Sequence, residues 1–218
     1  MFLGHFGVAL AAKRVAPRPS LGTTVMAAQW ADGIWPVLVL LGLERVEIRP
    51  GVTVVTPLDF VSYPYSHSLV ADLLWAAVFA AVYGTLRKDW RGAGWLAVLV
   101  LSHWVLDVVA HRPDVPTWPG GPKLGAGLWN SLPATLIVEF GLFAVGAWIY
   151  SRAAIARDTQ GKLLLWTFVI TLAVVYLAAV FGPPPPDDRV LAISGLLGWL
   201  FVAWGYWVDR HRVPVAAI

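Results

Sequence analysis

The sequence contains no cysteine. That excludes disulfides, thiolate zinc sites and cysteine nucleophiles together. Charge is also scarce: charged residues make up 13% of the chain and hydrophobic residues 58%. A soluble domain carries about 25% charged residues, so half that share implies lipid as the solvent. There is no basic run, and the net charge of +3 is diffuse. Nucleic acid is therefore excluded as a partner. No internal repeat is evident, which gives no support to an inverted-repeat transporter. No basic region leads the apolar start from Met1 to Leu10, so this segment is expected to be retained rather than cleaved as a signal peptide.

Long apolar runs and tryptophan are abundant. Six stretches approach the length that crosses about 30 Å of hydrocarbon: 23–43, 67–86, 92–111, 129–150, 162–182 and 189–208. Thirteen tryptophans suit the membrane–water interface. The expected fold is all-α, a polytopic transmembrane bundle of about six spans forming one domain over residues 1–218. Segment 1–12 is too short to span and reads as a half-helix or re-entrant piece packed against protein. The connections 44–66 and 112–128 are the longest. The run Pro183 to Pro186 predicts a stiff turn between the last two helices.

Basic residues divide unequally between the two ends of these spans. One side collects Lys13, Arg14, Arg18, Arg87, Lys88, Arg91, Arg152, Arg157, Lys162, Arg210 and Arg212. The other collects Arg45, Arg49, Arg112, Lys123 and Arg189. The positive-inside rule makes the first side cytoplasmic, with the C-terminus there and both long loops outside. The expected location is the cytoplasmic (inner) membrane, with the lipid bilayer as partner.

Ionisable residues at membrane depth are costly and mark function by default. His5, Asp32, His67, Asp72, His103, Asp107, His111 and Glu139 all fall in or beside apolar stretches. His103, Asp107 and His111 are spaced H-x3-D-x3-H, which puts them on one helix face. The two histidines are about 12 Å apart along the axis. That spacing argues against one shared ion, but adjacent pairs could each hold one and Asp107 could bridge two. The predicted topology brings polar groups from four spans into the outer half of the bilayer. Imidazole and carboxylate are the usual donors to zinc and other divalent first-row metals. The bland alternative is interhelical hydrogen bonding. Asp72 reads as helix pairing or capping, and Asn130 and Ser131 as a helix cap. Glu139 reads equally as a ligand, a proton carrier or the partner of a buried histidine.

Gly4-His5, Asp32 ahead of Trp35-Pro36, Tyr65-Ser66-His67-Ser68 and Ser102-His103-x3-Asp107 together resemble the bacterial membrane-bound metal-dependent hydrolase family. The resemblance spans most of residues 1–140. A more distant likeness is to the zinc-dependent phospholipase C and P1-nuclease group. That likeness implies His5, Asp32, His67, His103 and Asp107 as metal ligands, with His111 a further candidate and one or two ions, zinc first among them. The chain departs from that group by lacking a later H-x3-E pair, with Glu139 alone in that region, and an N-terminal Trp ligand. The expected function is metal-dependent hydrolysis of an ester or phosphoester, lipid or lipid-linked, near the outer face. His111 and Glu139 are the candidate general acid or base. The alternative is a transporter or permease using the same His and Asp residues for ion or proton transfer.

Overall fold

The structure is a computed structural model that describes residues 1–215. The C-terminal end itself, residues 216–218, lies outside the described residues. The chain is mostly helical. A buried half-helix, α1 (Leu3–Ala11), is followed by α2 (Leu21–Ala28) and α3 (Trp30–Leu40). A hairpin of β1 (Arg45–Ile48) and β2 (Leu58–Ser62) leads into the single-turn α4 (Pro64–His67). Then come α5 (Leu69–Arg87) and α6 (Trp90–Ala110), and the short pair β3 (Val115–Pro116) and β4 (Lys123–Leu124). The chain continues through α7 (Leu132–Ala153), β5 (Ala154–Ala156), α8 (Thr159–Phe181), α9 (Asp188–Gly195), α10 (Gly198–Arg210) and β6 (Arg212–Pro214). β5 and β6 pair antiparallel.

Among the described residues, five helical stretches are long and apolar enough to cross a membrane: α5, α6, α7, α8 and the α9–α10 stretch. Their lipid-facing side chains are the exposed ones, with Leu86 at 76% and Ile137 at 73%. This is a multi-pass membrane bundle. The expected first span, 23–43, is corrected: it is two short helices broken at Gln29, whose φ −104° and ψ 13° are non-helical. Pro36 inside α3 also lacks the N–H that would bond the Asp32 carbonyl. The expected second span is corrected as well. His67 does not open α5 but ends α4, and extended Ser68 caps α5 through the Ala71 N–H. Ser131 does sit at the start of α7, but its side chain caps nothing.

Two close approaches set the interior. α1 lies against α7, where a Cβ on Gly146 would fall 2.1 Å from the Gly7 carbonyl oxygen. α2 lies against α10 in the same way, with a Cβ on Gly205 falling 3.0 Å from Gly22. Small residues let helices approach without a hydrophobic driving force between them. Below the polar cluster, α1 is sealed by buried Leu3, Phe6, Leu10, Leu96, Phe143 and Phe168. A second, smaller core under the β1–β2 hairpin joins Trp35, Val46, Phe60 and Tyr63. Tyr63 is fully buried there.

The helix ends gather at two rims. The α5–α6 turn, the β5–β6 pair and the segment after α1 share one rim, tied by Arg18–Asp89 and Lys13–Asp209. That rim carries the larger group of basic residues. The β1–β2 hairpin, the loop after α6 and the start of α9 share the other.

Candidate functional site

Asp107 lies on the buried face of α6, and four imidazoles reach it through Nε2. His5 Nε2 is 3.1 Å from Oδ1, while His67, His103 and His111 approach Oδ2 at 3.8, 3.4 and 3.7 Å. Asp32 stands beside them, its Oδ1 3.3 Å from His67 Nε2 and 3.7 Å from His103 Nε2. Among the described residues, two three-residue sets have donor atoms within 4.8 Å of one another: His5, His103 and Asp107; and Asp32, His67 and His103. The residues come from α1, α3, α4 and α6, so four elements meet at one point.

Each imidazole except His5 is held from behind. His103 Nδ1 donates to the Ala28 carbonyl at 2.8 Å. His111 Nδ1 donates to Asp114 Oδ1 at 3.0 Å, and the Tyr63 hydroxyl donates to the same oxygen at 3.1 Å. The Ser66 hydroxyl gives its proton to Glu44 Oε2 at 2.6 Å, so it accepts from His67 Nδ1 at 2.6 Å. Glu44 is itself buried and also accepts the Tyr65 and Ser66 backbone N–H groups. A neutral imidazole carries one N–H and one lone pair. With Nδ1 committed as donor on all three rings, each Nε2 presents its lone pair toward carboxylate oxygen. That arrangement is stable only with a proton or a cation between the two, and such backing is the usual arrangement behind metal-bound histidine. His103 Nε2 and His5 Nδ1 are buried and have no hydrogen-bond partner among the described residues. The His5 and His103 rings stack at 3.8 Å.

His111 reaches the cluster although its axial spacing from His103 predicted separation. α6 ends at Ala110, and His111 has extended backbone with φ −71° and ψ 156°. Its Nε2 and that of His103 both approach Oδ2 of Asp107, the bridging position that the spacing left open. Trp129 and Phe60 pack on the His111 ring at centroid distances of 4.1 and 4.9 Å. Burial lowers the His111 pKa, outweighing the pull of Asp107 and Asp114. Burial would raise Asp114, but the hydrogen bonds from His111, Arg112 and Tyr63 leave it below its usual value. Burial, then the Asp114 charge, pushes the Tyr63 phenol well above its ordinary range.

Glu139 has a defined structural role. Its two carboxylate oxygens accept the Phe2 and Gly4 N–H groups at 3.0 and 2.8 Å, which caps the start of α1 and so fixes His5. The Met1 amine contacts Asp107 directly. Asp72 is fully buried with neither oxygen hydrogen-bonded; it caps nothing.

A cavity of about 210 Å³ opens onto Asp107, His67, His111 and Glu139 between the β1–β2 loop and α8. A second, apolar cavity of about 180 Å³ reaches Asp32 from between α3 and α9–α10. Asp32, its side chain 42% exposed, lines both.

No protein-family model, curated protein or solved structure matches the chain.

The reading of the residues alone did not find Glu44, Asp114 or Tyr63. Asp114 carries a weak local signal, since Pro113 ends helical continuation just after His111 and Asp114 follows within reach of its ring. Glu44 carries none, because 21 residues of hairpin separate it from the backbone it receives at Tyr65.

Proposed function

We propose that this protein is a membrane-embedded, metal-dependent hydrolase. The observation that carries the reading is the set of Nε2 atoms directed at Asp107 and Asp32, with the rear nitrogens of three rings held by other partners. His5, Asp32, His67, His103 and Asp107 would hold one or two divalent cations, and the imidazole–carboxylate donor set fits zinc. Bound there, the cation supplies Lewis acidity that activates water and polarises an ester or phosphoester.

The chain's own groups account for the rest. His111, backed by Asp114 and facing the 210 Å³ cavity, is placed to take a proton at Nε2 and return it to a leaving group. Glu139 positions His5 through α1 rather than moving protons. Tyr63 and Arg112 hold Asp114 in place. The cavities beside Asp32 are mostly apolar, which suits a lipid or lipid-linked substrate with its ester near the cluster.

The transporter reading needs a polar path to the far rim. The sealed core around α1 weighs against it. α2 and α3 together run from Leu21 to Leu40 alongside α10 and α9, about 30 Å at 1.5 Å per residue, and so would act as a broken sixth span. With the larger basic group inside, the protein sits in the cytoplasmic membrane, its C-terminus inside and its site toward the outer face.

Metal analysis of detergent-purified protein tests the reading, with wild type beside Asp107→Ala and His103→Ala. One or two transition-metal ions per chain in wild type, lost in both variants, is the expected result. Wild type without stoichiometric metal after purification in metal-supplemented buffer would sink the proposal and leave a protonated His–Asp cluster in its place.

A further inference from the structure

A second site lies at the opposite rim and does not depend on the metal. A groove of about 630 Å³ runs between α2, α5 and α10. Along α5 it is lined at helical spacing from Trp75 through Val78, Phe79, Val82 and Leu86 to Arg87, one continuous face. Twelve residues of rise make it about 18 Å long, close to half of a roughly 30 Å hydrocarbon layer. Its deep end is closed by Trp30 against Trp75, with ring centroids 5.6 Å apart.

The rim end is polar. Arg18 and Arg87 stand there with a hydroxyl chain: Ser20 Oγ lies 2.8 Å from Thr23 Oγ1, which lies 3.0 Å from the Tyr206 hydroxyl. Arg18 also borders an adjoining polar depression with Arg14 and Arg91. Asp89 is the one carboxylate there. Its Oδ1 accepts the Gly92 N–H and lies 3.6 Å from Arg18, while its buried Oδ2 has no hydrogen-bond partner among the described residues. Arg18 meets Asp89 through one guanidinium nitrogen, and its side chain is 76% exposed, so the rest of the guanidinium faces outward.

An apolar slot one leaflet deep, ending in arginines and hydroxyls, matches a single amphiphile: an acyl chain below and a phosphate above. We propose that this groove binds one anionic phospholipid, its phosphate on Arg18 and Arg87 and its glycerol region on the Ser20–Thr23–Tyr206 hydroxyls. Basic pockets between membrane helices hold anionic headgroups for the same reason: the charge is attracted and the chain stays buried. The lipid would wedge α2 against α5 and α10, the arrangement that carries Asp32 and the Ala28 carbonyl to the cluster.

Native mass spectrometry of protein released from nanodiscs of equal phosphatidylglycerol and phosphatidylcholine tests this. Wild type is expected to retain one phosphatidylglycerol in clear preference to phosphatidylcholine. Each arginine removed should cost about fivefold in that preference, so the Arg18→Gln/Arg87→Gln double variant should lose about 25-fold. Val82→Trp, which fills the slot, should abolish retention of either lipid, while Arg152→Gln at the same rim should change nothing. The proposal is overturned if wild type shows no preference, if the double variant keeps it, or if Arg152→Gln loses as much. Displacement by excess inorganic phosphate, or a second protein chain retained in place of lipid, would also overturn it.

Discussion

Two buried charge clusters sit at opposite rims of this bundle, and they are built differently. At the rim away from the imidazoles, Lys13 Nζ donates to the Pro17 and Pro19 carbonyls and to Asp209 at 3.1, 2.6 and 3.1 Å. Asp209 in turn accepts the Leu21 N–H and the Tyr150 hydroxyl. All three ammonium protons have acceptors, and the carboxylate has three donors. At the Asp107 rim, three rings spend their Nδ1 protons on the outside of the cluster, while their Nε2 atoms and the Met1 amine crowd the Asp107 carboxylate inside it. The first is a lock that ties the segment after α1 to α2, α7 and α10. On the proposed function, the second would close around a divalent cation. The lesson is that burial and charge alone do not tell the two networks apart; where each donor is spent does.

The sharpest way to break this comparison is to remove the centre of each cluster. Asp107→Asn should abolish metal binding and hydrolysis while the bundle still folds, read by metal content beside the thermal melt. Lys13→Met should do the reverse: metal stoichiometry is kept, and stability falls by about 3 kcal/mol because Asp209 is left short of a buried partner. If Lys13→Met empties the metal site without destabilising the fold, the two clusters are not separate in function.

Smaller effects test the support behind the rings. Ser66→Ala cuts the link from Glu44 to His67 and should weaken metal affinity by about 10- to 100-fold, measured by chelator competition. Asp114→Asn removes the carboxylate behind His111. It should slow turnover while leaving metal content intact, which separates a proton carrier from a ligand. Equal loss of metal in both variants would make His111 a ligand instead.

The smallest effect is expected at the exposed pair of Asp158 and His211, 2.9 Å apart on the basic rim. The His211 hydrogen bond, then the Gly161 N–H, holds the Asp158 carboxyl below its usual value. A carboxyl depressed in the folded state adds stability above its unfolded pKa, and that stability is lost as pH falls through the folded value. Asp158→Asn should therefore match wild type in acid and differ only slightly at neutral pH, seen by melting across pH.

Much of the site was legible in the chain because membrane depth makes ionisable residues conspicuous. His5, Asp32, His67, His103, Asp107 and His111 stand out against apolar neighbours, and the structure brings all six together. The bundle was equally legible through its apolar runs. The continuity of the first span was not legible, because length and composition say nothing of it. The break at Gln29 and the extended Ser68 are backbone decisions, and both aim a ligand candidate at the cluster. Glu139 was ambiguous for the same kind of reason: a carboxylate at depth does not reveal whether it meets a metal, a proton or two backbone N–H groups.

By itself, then, the sequence determined the solvent, the helical class and the identities of the polar residues. Composition and hydropathy are summed along the chain and need no partner. Only the tertiary structure decided which nitrogen of each imidazole points inward and that Glu44 and Asp114 stand behind two of the rings. It also decided that Glu139 caps α1. Each of these depends on atoms between 1 and 137 residues apart in the chain, meeting at hydrogen-bond distances that only packing can set.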